Sequence, residues 1–460
     1  MGKEEVPRAL AEETIRCMLI RADYAIVHAD ELATLAGKSD RPQIREGMRD
    51  LGIVRDGAVA VKDGRIAAVG TTKKVLDRLE KGIETIDASG RLVAPGLIDP
   101  HVHMVFAGSR EDELEAMAVK GIPYLDIKAE GGGMPTTLKM TGEAPTKELV
   151  RLTTQRLDTM LIHGTTTIEA KSGYEMTLKG EIRQLEIIQA LRKSHPVDLV
   201  PTFLAQGIPR GYENRVDELT DEIARKWIPE IARRGLAEYC DVFCEKGYFN
   251  LEQTRRILRT GRSHDMKLRI HADWLAHSGG ARLGAELGVL SADHLIFTPR
   301  KEIRGLVRRG VMGTLLPTTP FCYLGTYAKA REIIDEGLPV ALGTDLSAAD
   351  MCESMQMMMT IAVLQMKMTT EEALVASTIN AAHSIQRARE VGSLERGKKA
   401  DIVIFDAPNH KHFAYHYGIN LAEKVFKNGR LVAERGRRVG QGPSFMGEPA
   451  VHPSGGASRP

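Results

Sequence analysis

Between about residue 95 and about residue 383 the chain repeats one pattern eight times: a short apolar run, then a longer segment whose apolar residues recur every three to four positions. The runs are LVAPGLIDPH, GTTTIEAKS, VDLVPTFLA, YCDVFCE, KLRIHAD, LSADHLIF, VMGTLLP and PVALGTD. Strands alternating with helices build a parallel sheet, and eight such units are the number that closes a barrel. The expected fold is therefore α/β, a (β/α)8 TIM-like barrel. In such barrels the reactive groups gather where the strands end, and several of these runs end in His or Asp.

The flanks read differently. Short β-rich pieces at residues 25–27, 57–62 and 65–69, with Asp56-Gly57 and Asp63-Gly64 as turns, return late as residues 401–405 and 423–432 around Asn428-Gly429. A small antiparallel, discontinuous β-sandwich domain built from both chain ends follows: residues 15–94 plus 390–440, around a barrel of residues 95–389. Residues 441–460, rich in Pro, Gly and Ser, read as a flexible tail. Residues 216–235 have the period of one of the barrel helices.

With 43% hydrophobic and 27% charged residues the chain has the balance of a globular protein. A net charge of +2 is too small for a dedicated nucleic-acid binder, so a small molecule is the expected partner. The charged N-terminus and the lack of any run of about 18 apolar residues point away from a membrane and to a cytoplasmic protein, which we expect to be a homodimer. Cys17, Cys240, Cys244, Cys322 and Cys352 are odd in number and scattered, which argues against a disulfide framework. Cys240 and Cys244 read as small hydrophobes on a buried strand, and the methionines of MCESMQMMMTIAVLQMKM as adaptable packing.

His101 and His103 end the first run, and two residues apart on a strand they share a face. His271, His294 and Asp345 each stand where another strand stops. Four histidines and one aspartate converging on one mouth are a donor set for a divalent metal. Glu169 and Lys171 read as a supporting ion pair beside it.

APGLIDPHVH, the later His271, His294 and Asp345, and GSLERGKKADIVIFD resemble the amidohydrolase superfamily. MRDLGIVRDGAVAVKDGRIAAVG, HMVFAGSR, EGGGM, TTTIEAKSGY, DVFCE and SADHL are similar, within it, to the imidazolonepropionase family, over about residues 31–432. The resemblance implies one divalent metal, Zn²⁺ or Fe²⁺, on His101, His103, His271 and Asp345. A bound water is then the nucleophile, Asp345 its proton acceptor, and His294 orients the water or polarises the carbonyl. It also implies that Arg110 clamps a substrate carboxylate and that Tyr124 and Tyr174 contact the ligand.

The departures are as informative. Gln206 stands where the family has His, Trp274 where it has an acid after HAD, and Leu346-Ser347-Ala348-Ala349 where it has Asn-Pro-Gly. Asp273, Glu245 and His277 are candidate stand-ins for that acid. No lysine ends YCDVFCE, which argues against a carbamate bridge between two metals. The expected activity is hydrolysis of a C–N amide bond in a five-membered nitrogen ring bearing a carboxylate side chain, with imidazolonepropionate as reference and a hydantoin or thiohydantoin propionate as replacement. The alternatives are deamination of a purine- or pyrimidine-like ring, and a catalytically silent, metal-binding interaction subunit.

Overall fold

The computed structural model describes residues 19–440; Cys17 and the proposed tail at 441–460 lie outside them. All eight apolar runs are strands: β1 (Leu97–Val102), β2 (Thr165–Lys171), β3 (Asp198–Ala205), β4 (Tyr239–Cys244), β5 (Lys267–Ala272), β6 (Ser291–His294), β7 (Met312–Leu315) and β8 (Val340–Leu342). They pair in chain order, each parallel to the next. The ring closes where β8 runs on past Leu342: Asp345 N donates to His101 O at 3.1 Å and His103 N to Leu346 O at 2.9 Å. Asp99 reinforces this seam by accepting from Thr344 N at 3.1 Å and Thr344 Oγ1 at 2.5 Å. Ile98, Ile168, Val200, Val242, Ile270, Leu315 and Leu342 belong to one continuous core with the surrounding helices.

Two elements differ from the pattern read in the sequence. Residues 216–235 are not one regular helix: Val216–Glu222 and Ile228–Arg233 are α-helical, and Ile223–Trp227 between them is a π turn. Pro229 has no N–H for the carbonyl one turn earlier and its ring crowds that carbonyl, so the helix widens just before it.

The second difference concerns the small domain, whose sheets are mixed rather than purely antiparallel. Four N-terminal strands form one sheet, in which Tyr24–Ala29 runs parallel to Glu84–Asp87. Seven strands from both chain ends form the other, in which Ile402–Phe405 pairs antiparallel with Leu92–Pro95, itself parallel to Glu31–Ala33. Each parallel pair is joined by a long connection, in the first case carrying the helix Thr72–Leu76, which a tight hairpin could not replace. Ile26, Val59 and Ile66 of the first sheet pack on Leu32, Val93, Ile402 and Phe426 of the second, so the two sheets share one apolar core.

Two hairpin tips from opposite ends of the chain touch there. Asp63-Gly64 and Asn428-Gly429 both have positive φ at both positions, as a two-residue primed turn requires. A Cβ on Gly64 would stand 2.8 Å from Asn428 O, and one on Gly429 3.0 Å from Gly64 Cα, so neither tip accepts a side chain.

The methionine cluster forms the helix Met355–Met366, with Met355, Met358, Met359 and Met366 buried in the main core. Cys240 and Cys244 are buried on β4, and no potential metal cluster among the described residues includes them. No helix among the described residues is long and apolar enough to cross a membrane.

Candidate metal centre and active site

The five residues expected at the mouth meet there, all buried. His101 Nε2 lies 3.2 Å from His103 Nε2, and Asp345 Oδ1 lies 3.4 Å and 3.1 Å from these two nitrogens. The His271 ring is 4.5 Å from that of His101 and 5.3 Å from that of His294, centre to centre. His294 and Asp345 have φ of 74° and 54°. Left-handed backbone at non-glycine residues costs free energy, and here it falls at the strand ends that aim these side chains inward.

Buried carboxylates behind the histidines fix their protons. His101 Nδ1 donates to Asp293 Oδ2 at 2.7 Å, and Arg269 Nη2 donates to the same oxygen at 3.0 Å. His271 Nδ1 donates to Asp241 Oδ1 at 3.2 Å, while Lys171 Nζ bonds Asp241 Oδ2 at 2.8 Å and Glu169 Oε1 at 2.9 Å. A carboxylate on Nδ1 leaves the Nε2 lone pair free to bind a metal. Glu169 and Lys171 are thus the supporting pair expected, and they act on His271 through Asp241.

A divalent ion fits this donor set. His271 Nε2 is buried with no hydrogen-bond partner, and the groups His101–His103–Asp345 and His101–His271–His294 each bring three ligand atoms within 4.8 Å of one another. Burial disfavours a charged carboxylate, but His101 and His103 outweigh it and hold Asp345 well below the usual range, hence ionised. Burial pushes His103 down to about 4 and His294 well below its ordinary value, so both imidazoles are neutral at pH 7. Asp345 Oδ2 accepts from Thr319 Oγ1 at 2.7 Å, which fixes the rotation of its carboxylate.

Over the donors lies a cavity. Arg110, Tyr124, Tyr174, Gln206 and Trp274 all line it. Arg110, with its side chain 6% exposed, donates from Nε to Glu113 Oε2 at 2.8 Å, and its Nη2 stands 2.7 Å from the same oxygen. Its Nη1 keeps no protein partner among the described residues. Trp274 stacks on His294 with centroids 5.4 Å apart and planes 18° from parallel.

The three candidate stand-ins for the missing acid do not line the cavity, and the structure corrects that expectation. Glu245 accepts the backbone N–H of Trp274 and Leu275 on Oε2, at 2.9 and 3.0 Å, and of Lys246 on Oε1. Asp273 accepts from Ser278 N, Gly279 N and Thr298 Oγ1, which organises the loop after β5. His277 is half exposed and bonds Glu302. Both carboxylates are occupied in holding backbone, and the imidazole faces outward.

Sequence reasoning missed Tyr323 and Asp350, which with Ser347 also line the cavity. Ser347 lies within the Leu346–Ala349 departure and Asp350 directly after it, so the signal was adjacent. Tyr323, on the turn after β7, carries none.

The comparisons agree with this geometry. The amidohydrolase family model matches residues 92–432. The imidazolonepropionase of Alkaliphilus metalliredigens is 45% identical over 421 residues, covering 91% of this chain and 99% of that relative. That of Geobacillus kaustophilus is 47% identical over 415 residues, covering 89% and 97%. Among solved structures, a zinc-bound adenosine deaminase from Xanthomonas campestris superposes with a TM-score of 0.70 at 19% identity, covering 92% of this chain and 96% of that one, a likeness of fold. With the matched stretch running from the last strand before β1 into the C-terminal strand Arg430–Glu434, the chain belongs to the amidohydrolase family and is a hydrolase similar to the imidazolonepropionases.

Proposed function

We propose that this protein opens a C–N amide bond in a five-membered nitrogen ring that carries a carboxylate side chain. The observation that carries the reading is the meeting of a buried His/Asp donor set and a buried arginine across one cavity. His101, His103, His271 and Asp345 would hold one divalent ion, Zn²⁺ or Fe²⁺, which supplies a Lewis acid and lowers the pKa of a water toward neutrality.

The chain's own residues do the rest. Asp345, ionised and steadied by Thr319, takes the proton of the attacking water and passes it to the leaving ring nitrogen. His294, neutral and pinned against Trp274, donates one N–H toward the carbonyl oxygen where charge develops. Arg110 pairs with the substrate carboxylate through the nitrogen that Glu113 leaves free. Tyr124, Tyr174 and Trp274 form the faces against which the ring lies, and Gln206 presents an amide that can donate or accept at its polar edge. Imidazolonepropionate is the reference substrate. Because an indole N–H does not transfer a proton, Trp274 favours a ring whose leaving nitrogen needs less protonation, such as the acylated nitrogen of a hydantoin or thiohydantoin propionate.

The test is a panel of imidazolonepropionate, hydantoin-5-propionate, its 2-thio analogue and amino-substituted six-membered rings, scored separately for ring opening and for ammonia. Ring opening with the five-membered acids is expected; ammonia release from the six-membered rings without ring opening overturns the reading.

A further inference from the structure

Outside the cavity, another group of metal-ligating side chains stands at the same end of the barrel: Asp273 and His277 on the loop after β5, and Glu302 in the helix Arg300–Arg308 that follows β6. Their ligand atoms lie within 4.8 Å of one another, and none of the three belongs to the His/Asp set or lines the cavity. His277 Nε2 is 3.0 Å from Glu302 Oε1. Glu302 Oε2 is buried and has no hydrogen-bond partner among the described residues. Asp273 is fully buried; its Oδ1 accepts from Ser278 and Gly279, whereas its Oδ2 accepts only from Thr298 Oγ1, at 2.7 Å.

An ion pair alone does not account for this arrangement. A partly exposed His–Glu pair contributes little, and this one leaves Oε2 desolvated and unmatched, a loss that native structures rarely leave uncompensated. A carboxylate has about four lone-pair sites, so Asp273 Oδ2 keeps one free. One imidazole nitrogen and two carboxylate oxygens are the donor chemistry of a borderline divalent ion such as Zn²⁺, whereas Ca²⁺ and Mg²⁺ prefer oxygen alone. Bonds of about 2.0–2.2 Å would draw the three donors closer together. His277, with its side chain 47% exposed, has room for that movement and leaves a face open for water to complete the shell.

We infer that Asp273, His277 and Glu302 form a second, structural site for a divalent ion, separate from the catalytic centre. Asp273 directly precedes Trp274 and His277 follows it on the same loop, so the ion would tie both flanks of that residue to the helix Arg300–Arg308. The loop that sets Trp274 against His294 is then held by the ion as well as by its own hydrogen bonds. The site binds more weakly than the floor of the cavity. Its imidazole is half exposed, and among the described residues no buried carboxylate holds the other ring nitrogen as Asp293 and Asp241 do for His101 and His271.

The test uses the full-length, untagged protein, dialysed and then loaded with one equivalent of Zn²⁺. Uptake of further Zn²⁺ is followed by equilibrium dialysis with elemental analysis and by tryptophan fluorescence, which reports on the loop because Trp274 is one of two tryptophans in the chain. The wild-type protein should take up a second equivalent in the micromolar range, with a change in emission. His277→Ala and Glu302→Gln should each weaken that second equivalent by at least about tenfold and remove the change in emission, while the first equivalent is retained. His101→Ala should do the reverse, losing the first and keeping the second. Uptake of a single equivalent by the wild-type protein overturns the inference, and so does wild-type affinity for the second equivalent in either folded variant. His277→Ala, at a half-exposed position, decides the matter if Glu302→Gln fails to fold by circular dichroism.

Discussion

The floor and the wall of one cavity obey different rules. On the floor, His101 and His271 are backed by a buried carboxylate, each carboxylate is backed by Arg269 or Lys171, and His271 Nε2 is left open toward the common centre. On the wall, Gln206, Trp274 and Asp350 stand at or beside the departures from the family pattern, and Gln206 Oε1 and Asp350 Oδ1 have no protein partner among the described residues. The floor is held because the imidazoles of His101 and His271 are each positioned by a carboxylate that is equally buried. Such a network tolerates little change, whereas a wall residue that faces only the ligand can be exchanged without disturbing what lies behind it. On the function proposed above, the floor would set the reaction type and the wall the choice of ring.

Three experiments test this division. The largest effect is expected on the floor: Asp345→Ala or His101→Ala should lower kcat/KM by at least about 10³-fold for every ring in the panel, with loss of bound metal by elemental analysis. Selective loss for one ring alone would place Asp345 on the wall. Next, Arg110→Met should cost about 2–4 kcal/mol in kcat/KM for a substrate with a carboxylate and far less for the same ring without it. Equal losses on both compounds would make Arg110 a structural partner of Glu113. The smallest effect belongs to Trp274→Glu, which returns an acid to the position after HAD. It should raise turnover of imidazolonepropionate relative to hydantoin-5-propionate by about tenfold while leaving metal content at the wild-type level. An unchanged ratio would show that the indole does not set the preference.

The floor was legible in the sequence because strand-end histidines and aspartates are local facts: the period of a strand fixes which way His101 and His103 point, and barrel topology brings the other ends together. The eight strands were legible for the same reason. The wall was legible only where it broke a familiar pattern, at Gln206, Trp274 and Ser347. Asp350 and Tyr323 sit on loops whose course is set by tertiary contacts, and no periodicity records it. The fates of Glu245 and Asp273 were equally hidden, because whether a carboxylate faces a ligand or a row of backbone N–H groups depends on how a loop turns. In the small domain, the parallel pairs depend on which long connection crosses which sheet, and composition does not encode that.

The seam between β1 and β8 also ties the site to the order in which the chain is made. Asp99 and Thr344, bonded across it, are 245 residues apart, and His101 and Asp345 stand directly beside them. On the ribosome, His101 and His103 emerge long before the residues that complete their centre, and loop closure over such a span comes late in folding. A nascent chain carries two histidines on an unclosed sheet edge until the eighth strand arrives. The step that seals the barrel is then the same step that brings Asp345 to them, so a partly synthesised or truncated chain lacks the complete donor set.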